Sequence, residues 1–189
     1  VDLDENTLQW AAENNIARLG SKAEGVELAC CDVLTAANYE SDIVTAFNFS
    51  YCVFKEREIL LSYFRKVHET LSSAGIFFLD LYGGPDAQVI QEESREVDEE
   101  GLRFSYVWDQ ANYNPVTGET ACHIHFDLPG GNRMERAFSY DWRLWNLPEL
   151  KDLLREAGFE KIDVYWEGTD HSTGEGNGTF RVSRKGDDS

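Results

Sequence analysis

The chain has 189 residues, with 17 lysines and arginines against 35 aspartates and glutamates, a formal net charge of −18. That length suits one domain with an appended lobe. Such acidity excludes nucleic-acid backbones and anionic membranes as expected partners, and no apolar run reaches membrane-spanning length or opens the chain as a signal segment. Cys30, Cys31, Cys52 and Cys122 show no C-x-x-C spacing, so neither a zinc site nor a disulfide framework is expected. A reducing cytoplasm fits that pattern.

Val1-Asp2-Leu3-Asp4 ends a short β-type run in carboxylates. Asp4 is placed to cap a helix carrying Leu8, Ala11, Ala12, Ile16 and Leu19, which Gly20 stops. Residues 26–30 read as a strand leading into Cys31-Asp32-Val33, and residues 42–47 as a buried parallel strand. A long amphipathic helix follows, faced by Ile59, Leu60, Phe64, Val67 and Leu71, and then a central strand over residues 76–82. Ala46 and Phe78 are expected in the interior. This β-α-β-loop-β-α-β order predicts a parallel sheet.

After Gly83-Gly84-Pro85 the apolar period changes to two. Leu102, Phe104, Tyr106 and Trp108 alternate with Arg103, Ser105, Val107 and Asp109; Cys122, Ile124, Phe126 and Leu128 share one face of the next strand, and the chain then turns into Met134, Arg136, Phe138 and Tyr140. With turns at residues 114–118 and 129–132, these predict a three-stranded antiparallel meander beside the carboxyl edge of the parallel sheet. A helix begins near Leu147-Pro148-Glu149 and stops at Gly158, and strands are expected at 162–166 and 179–183. The fold class is therefore α/β, a Rossmann-like, mostly parallel sheet with helices on both faces and an inserted meander. Three segments follow: 1–84, an α/β core; 85–145, the antiparallel insertion or cover; and 146–189, a helix and strands completing the core sheet.

Several side chains carry two readings. His123 and His125 share one strand face and form either a cleft-lining or solvated surface or, with Tyr51, the candidates for a catalytic base. No third ligand stands near the two histidines, so no metal is expected. Trp108, Tyr140 and the aromatic-dense run around them form a lid over the core or a substrate wall. Arg143, set among these rings, either holds an acceptor carboxylate or makes a structural ion pair.

The segments V-D-L-D, C-D-V, D-I-V-T-A-F-N-F-S-Y, L-S-S-A-G-I-F-F-L-D-L-Y and L-P-E-L-K-D-L-L-R-E-A-G-F occur in this order and cover most of residues 1–166 apart from the meander. In that order they resemble class I S-adenosylmethionine-dependent methyltransferases of the small-molecule type. The resemblance implies that Asp2 binds the ribose hydroxyls of S-adenosylmethionine and that Leu3 flanks the adenine. Asp32 takes the adenine amino group, the Val33 N–H meets a ring nitrogen, and Asn48 to Tyr51 face the methyl group. It also implies a strand and a glycine-rich turn upstream of Val1, so the chain reads as a fragment, with self-association expected beside the second strand. The function so implied is methyl transfer to a small-molecule acceptor that Tyr51, Trp108, Tyr140 and Arg143 would line. Asn48-Phe49-Ser50-Tyr51 lacks both prolines of the Asn-Pro-Pro-Tyr found in nucleic-acid amino methylases. Two alternatives stay open: an NAD-type dinucleotide-binding oxidoreductase, and a non-enzymatic α/β interaction module that has lost the site.

Overall fold

The computed structural model describes residues 1–36, 40–99, 101–172 and 176–182. Helix α1 (Glu5–Asn14) begins at Asp4, whose carboxylate accepts the backbone N–H groups of Asn6 and Thr7. Those bonds, Asn6 first, hold the Asp4 carboxyl below the usual carboxylate range. The helix is shorter than the apolar spacing predicts. It gives way to 3₁₀ turns over Ile16–Gly25, broken where Gly20 adopts a φ of 59°. Residues 26–29 make no ladder of their own; Cys30 forms a single parallel bridge with Asp2.

Strand β1 (Ser41–Ala46) leads through a 3₁₀ turn into helix α2 (Arg57–Thr70), which runs directly into strand β2 (Leu71–Leu79). The two strands are parallel, with Val44 beside Phe77 and Ala46 beside Leu79. Helix α2 buries Leu60, Leu61, Tyr63, Phe64 and Val67. Tyr63 and Phe64 set their rings edge-on against Phe77, at 6.3 and 5.9 Å between centroids. Helix α3 (Leu147–Ala157) packs beside α2. It opens with a reciprocal capping box between Asn146 and Glu149, and ends at Gly158 with φ 113°.

Three expectations need correction here. Strand β1 is not buried on both faces, because α2 and α3 cover only the side that carries Val44 and Phe77; Ile43 is 61% exposed. Phe78 points outward and Phe77 takes the interior place, since a continuous apolar run gives no phase. On α2, Ile59 is exposed while Leu61 and Tyr63 are buried.

The antiparallel sheet has four strands, not three, in the order β3 (Gln91–Glu99), β4 (Leu102–Tyr113), β5 (Glu119–Leu128) and β6 (Asn132–Arg143). Trp108 pairs with Ile124, which pairs with Phe138, so the predicted apolar face exists. Opposite His125 the ladder of β6 is irregular, and Arg136 there adopts a φ of 49°. Strands β7 (Tyr165–Thr169) and β8 (Gly176–Val182) pair only with each other among the described residues, so they form a separate hairpin and do not extend the parallel pair. Ser183, expected in the last strand, lies outside the described residues. Among those residues, no helix is long and apolar enough to cross a membrane.

Candidate active site

The chain leaves β1 through a strained turn. Asn48 and Phe49 both have φ 56°, a left-handed conformation that costs a residue with a Cβ about 1–2 kcal/mol. Asp80, one residue past β2, holds that turn open. One carboxylate oxygen accepts the Asn48 N–H at 2.8 Å and the other the Phe49 N–H at 2.9 Å. The Tyr51 hydroxyl donates to the Asp80 carbonyl at 2.7 Å. The carboxyl ends of both parallel strands are thereby locked together, the edge where ligands bind in open α/β sheets.

The locked turn presents Phe49 to a set of rings from the antiparallel sheet. Phe49 lies 5.2 Å from Tyr82 and 6.2 Å from Trp142. Trp142 is 4.4 Å from Tyr140, and Trp108 stands 5.9 Å from Tyr140 and 6.2 Å from Tyr82. Trp142 is buried, whereas Phe49, Tyr82, Trp108 and Tyr140 keep partial exposure. A wall of ring faces therefore stands across the carboxyl edge from the Asp80 turn. Burial raises the hydroxyls of Tyr82 and Tyr140 above the ordinary tyrosine range. Both stay protonated at neutral pH.

Asp2 and Asp32 stand at a separate parallel bridge, Asp2 with Cys30, outside the β1–β2 pair. The Asp2 N–H donates to the Ala29 carbonyl at 3.1 Å, and the Cys31 N–H donates to the Asp2 carbonyl at 3.0 Å. Asp32 follows one residue later. Asp2 Oδ1 accepts the Asp4 N–H, and Asp32 Oδ1 accepts the Leu34 N–H. Among the described residues, the second oxygen of each carboxylate has no hydrogen-bond partner. Leu3 is exposed beside Asp2, while Val33 and Leu34 lean on the core.

The three candidate bases do not reach the wall. Tyr51 is 1% exposed with its hydroxyl committed to Asp80, and burial, then the neighbouring Cys52 and Asp80, push it far above the ordinary tyrosine range. Residues paired across strands share a face, so His123, paired with Asp109 and Ser139, lies on the face opposite Trp108 and Tyr140. His123 meets Ser139 Oγ at 2.8 Å. His125 is buried on that same far face; its Nδ1 accepts the Arg136 N–H at 3.0 Å and its Nε2 lies 3.3 Å from Asp109. Among the described residues no cluster of acidic, histidine or cysteine side chains is arranged to hold a metal ion.

Arg143 is engaged within the protein itself. Its guanidinium donates to the Lys55 carbonyl and to Glu149, and lies 3.7 Å over the Trp145 ring. Trp108 and Tyr140 do line the wall. A cleft of about 390 Å³ opens beside Lys55, Asn112, Glu119 and Asp141, but no wall residue lines it, and Lys55 is ion-paired with both acids.

Sequence reasoning passed over Asp80, Tyr82 and Gln110 as site residues. For Asp80 a signal existed: it is an acid at the carboxyl end of the apolar run I-F-F-L, the pattern that singled out Asp2 and Asp32.

No protein-family model matches the chain, and no curated protein matches it by sequence. Solved structures do match. An S-adenosylmethionine-dependent methyltransferase from Clostridium acetobutylicum ATCC 824 superposes with a TM-score of 0.61 at 20% identity, over 82% of this chain and 61% of that one. DesVI from Streptomyces venezuelae gives 0.68 at 18% identity, over 88% and 66%. SAM-bound CalS10, an amino pentose methyltransferase from Micromonospora echinaspora, gives 0.59 at 17% identity, over 77% and 60%. The chain spans less than two thirds of the length of each of these structures. Across the residues that match, it has the fold of the S-adenosylmethionine-dependent methyltransferases.

Proposed function

We propose that the protein transfers a methyl group from S-adenosylmethionine to an amine-bearing small molecule. The observation that carries this reading is the Asp80-held turn facing an aromatic wall, with two further acceptor carboxylates, Asp2 and Asp32, flanking an isolated parallel bridge. The second oxygens of Asp2 and Asp32 suit the ribose hydroxyls and the adenine amino group, which are donors. Leu3 and the Val33 backbone would flank the base, and the exposed Asn48 turn would face the reacting end. When bound, the cofactor supplies an electrophilic methyl group on a sulfonium.

The chain's own residues then bind, orient and exclude water. Ring faces attract cations, so the wall formed by Phe49, Trp108, Tyr140 and Trp142 suits a small ammonium compound. The CalS10 acceptor, an amino pentose, is of that chemical kind. Among the described residues no histidine faces the wall, so holding the acceptor in line with the methyl is the principal contribution assigned to the protein. An acceptor amine would lose its proton to solvent before attack.

The charge of −18 supports a small cationic acceptor over a nucleic acid. Leu102, Met134 and Phe138, exposed on the same sheet face as the wall, support a homo-oligomer. Cys52 and Cys122 are buried free thiols pushed up by burial, Cys52 to about 12, which supports a reducing cytoplasmic setting.

The test is calorimetry on the full-length protein with S-adenosylhomocysteine and, separately, NAD. Binding of the first and not the second is expected. Asp2→Ala and Asp32→Ala should each weaken it roughly tenfold or more, the effect of losing a hydrogen bond to a charged acceptor. Wild-type affinity in both variants would remove the ribose and adenine assignments. Binding of NAD alone would favour the oxidoreductase, and binding of neither the interaction module.

A further inference from the structure

Gln110 is 4% exposed, yet every hydrogen-bonding group of its amide is engaged. Its Nε2 donates to the carbonyls of Asp86, at 2.8 Å, and Val89. Its Oε1 accepts from the Tyr82 hydroxyl and from the Trp108 indole N–H, the latter at 3.1 Å. Carbonyls only accept and an indole N–H only donates, so the amide has a single workable orientation. Both donors belong to rings of the acceptor wall. The Tyr140 hydroxyl, by contrast, has no hydrogen-bond partner among the described residues.

We propose that Gln110 is a positioning residue for the acceptor. It draws the polar edges of Tyr82 and Trp108 into buried bonds and leaves their ring faces for the ligand, with Tyr140 as the free hydroxyl. This rests on the acceptor wall assigned above. A cation gains from a ring only when it lies over the face, so the tilt of each ring decides its value. An indole anchored by its N–H cannot swing that edge toward the ligand. The same amide ties residues 86–89, where the chain enters the antiparallel sheet, to the wall. Wall geometry and chain entry are thus fixed by one side chain.

The experiment uses the full-length protein, S-adenosylhomocysteine, and tetramethylammonium chloride as the cation probe, read by tryptophan fluorescence. The Trp108 indole N–H is followed by ¹⁵N–¹H NMR, identified by its loss in Trp108→Phe. Wild type should bind the probe saturably. Gln110→Leu should weaken binding roughly tenfold, as expected when anchoring hydrogen bonds are lost, with faster exchange of the Trp108 indole proton.

Gln110→Glu covers the case in which the leucine variant fails to fold. It keeps an acceptor for both ring donors but turns a carboxylate toward two carbonyls. Burial and those carbonyls raise its pKa, and protonation restores one donor. Its binding, relative to wild type at the same pH, should be weak at pH 8 and recover by pH 5.5. A purely stabilising role would lower the melting temperature without that recovery. Unchanged probe binding in folded Gln110→Leu, or no recovery in Gln110→Glu, would overturn the assignment of Gln110. Absence of probe binding by wild type would instead strike the acceptor wall itself, and Gln110's role with it.

Discussion

Asp80→Ala should cut methyl transfer on the order of 100-fold while costing about 3 kcal/mol of stability, because two charge-assisted bonds to backbone N–H groups are lost at once. Those bonds hold Asn48 and Phe49 in a left-handed conformation that is strained for Phe49 in particular. Without them the turn relaxes, Phe49 leaves the wall, and the end of β1 shifts. A displacement of about 1 Å near reacting groups can cost on the order of 100-fold in rate. Asp80→Asn should fall between, since the amide oxygen replaces one acceptor while its NH₂ opposes the other N–H. Chemical denaturation and a methyl-transfer assay on the full-length protein would measure both effects. An alanine variant with wild-type stability and rate would mean that the turn has no part in positioning.

Trp142→Ala should be the most destabilising single change in the wall. Trp142 is 4% exposed and touches Phe49, Tyr82, Trp108 and Tyr140, so it joins the antiparallel sheet to the parallel pair. Truncating a buried aromatic residue typically costs about 3–5 kcal/mol through lost burial and the cavity left behind. Trp142→Phe should recover part of that loss. Near-UV circular dichroism during a guanidinium titration would follow it. A midpoint unchanged in Trp142→Ala would show that the sheet is held to the core by other contacts.

Much of the architecture was legible because the physics of period and caps is local. Leu102, Phe104, Tyr106 and Trp108 alternate, and β4 follows them. Asn146, Pro148, Glu149 and Gly158 mark both ends of α3, and the capping box forms. Strand β3 was not legible. Its sequence Q-E-E-S-R-E-V-D-E has one apolar residue, so no alternation marks it, and its acidic side chains are what protect an edge strand from mispairing. The exposure of Ile43 was equally hidden. An apolar run signals a strand but not which of its faces a helix will cover.

Candidate site residues stood out by their chemistry: two acids after short apolar runs pointed to Asp2 and Asp32, and density of rings pointed to Trp108 and Tyr140. For Arg143 and the histidines the chemistry was visible in the sequence and the facing was not. Only the register of β5 shows that His123 and His125 belong with Asp109 and Ser139 on the far face. Gln110 was invisible for a different reason: three of its four partners, Tyr82, Asp86 and Val89, lie more than twenty residues away, and no local pattern announces such bonds.

Incubating the full-length protein with methyl-labelled S-adenosylmethionine and, in parallel, amino sugars, other small amines, tRNA and DNA tests the central claim most directly. Label on the nitrogen of a small amine, strongly reduced in Asp80→Ala, is the expected result. Label in tRNA or DNA with none in any small molecule would contradict it.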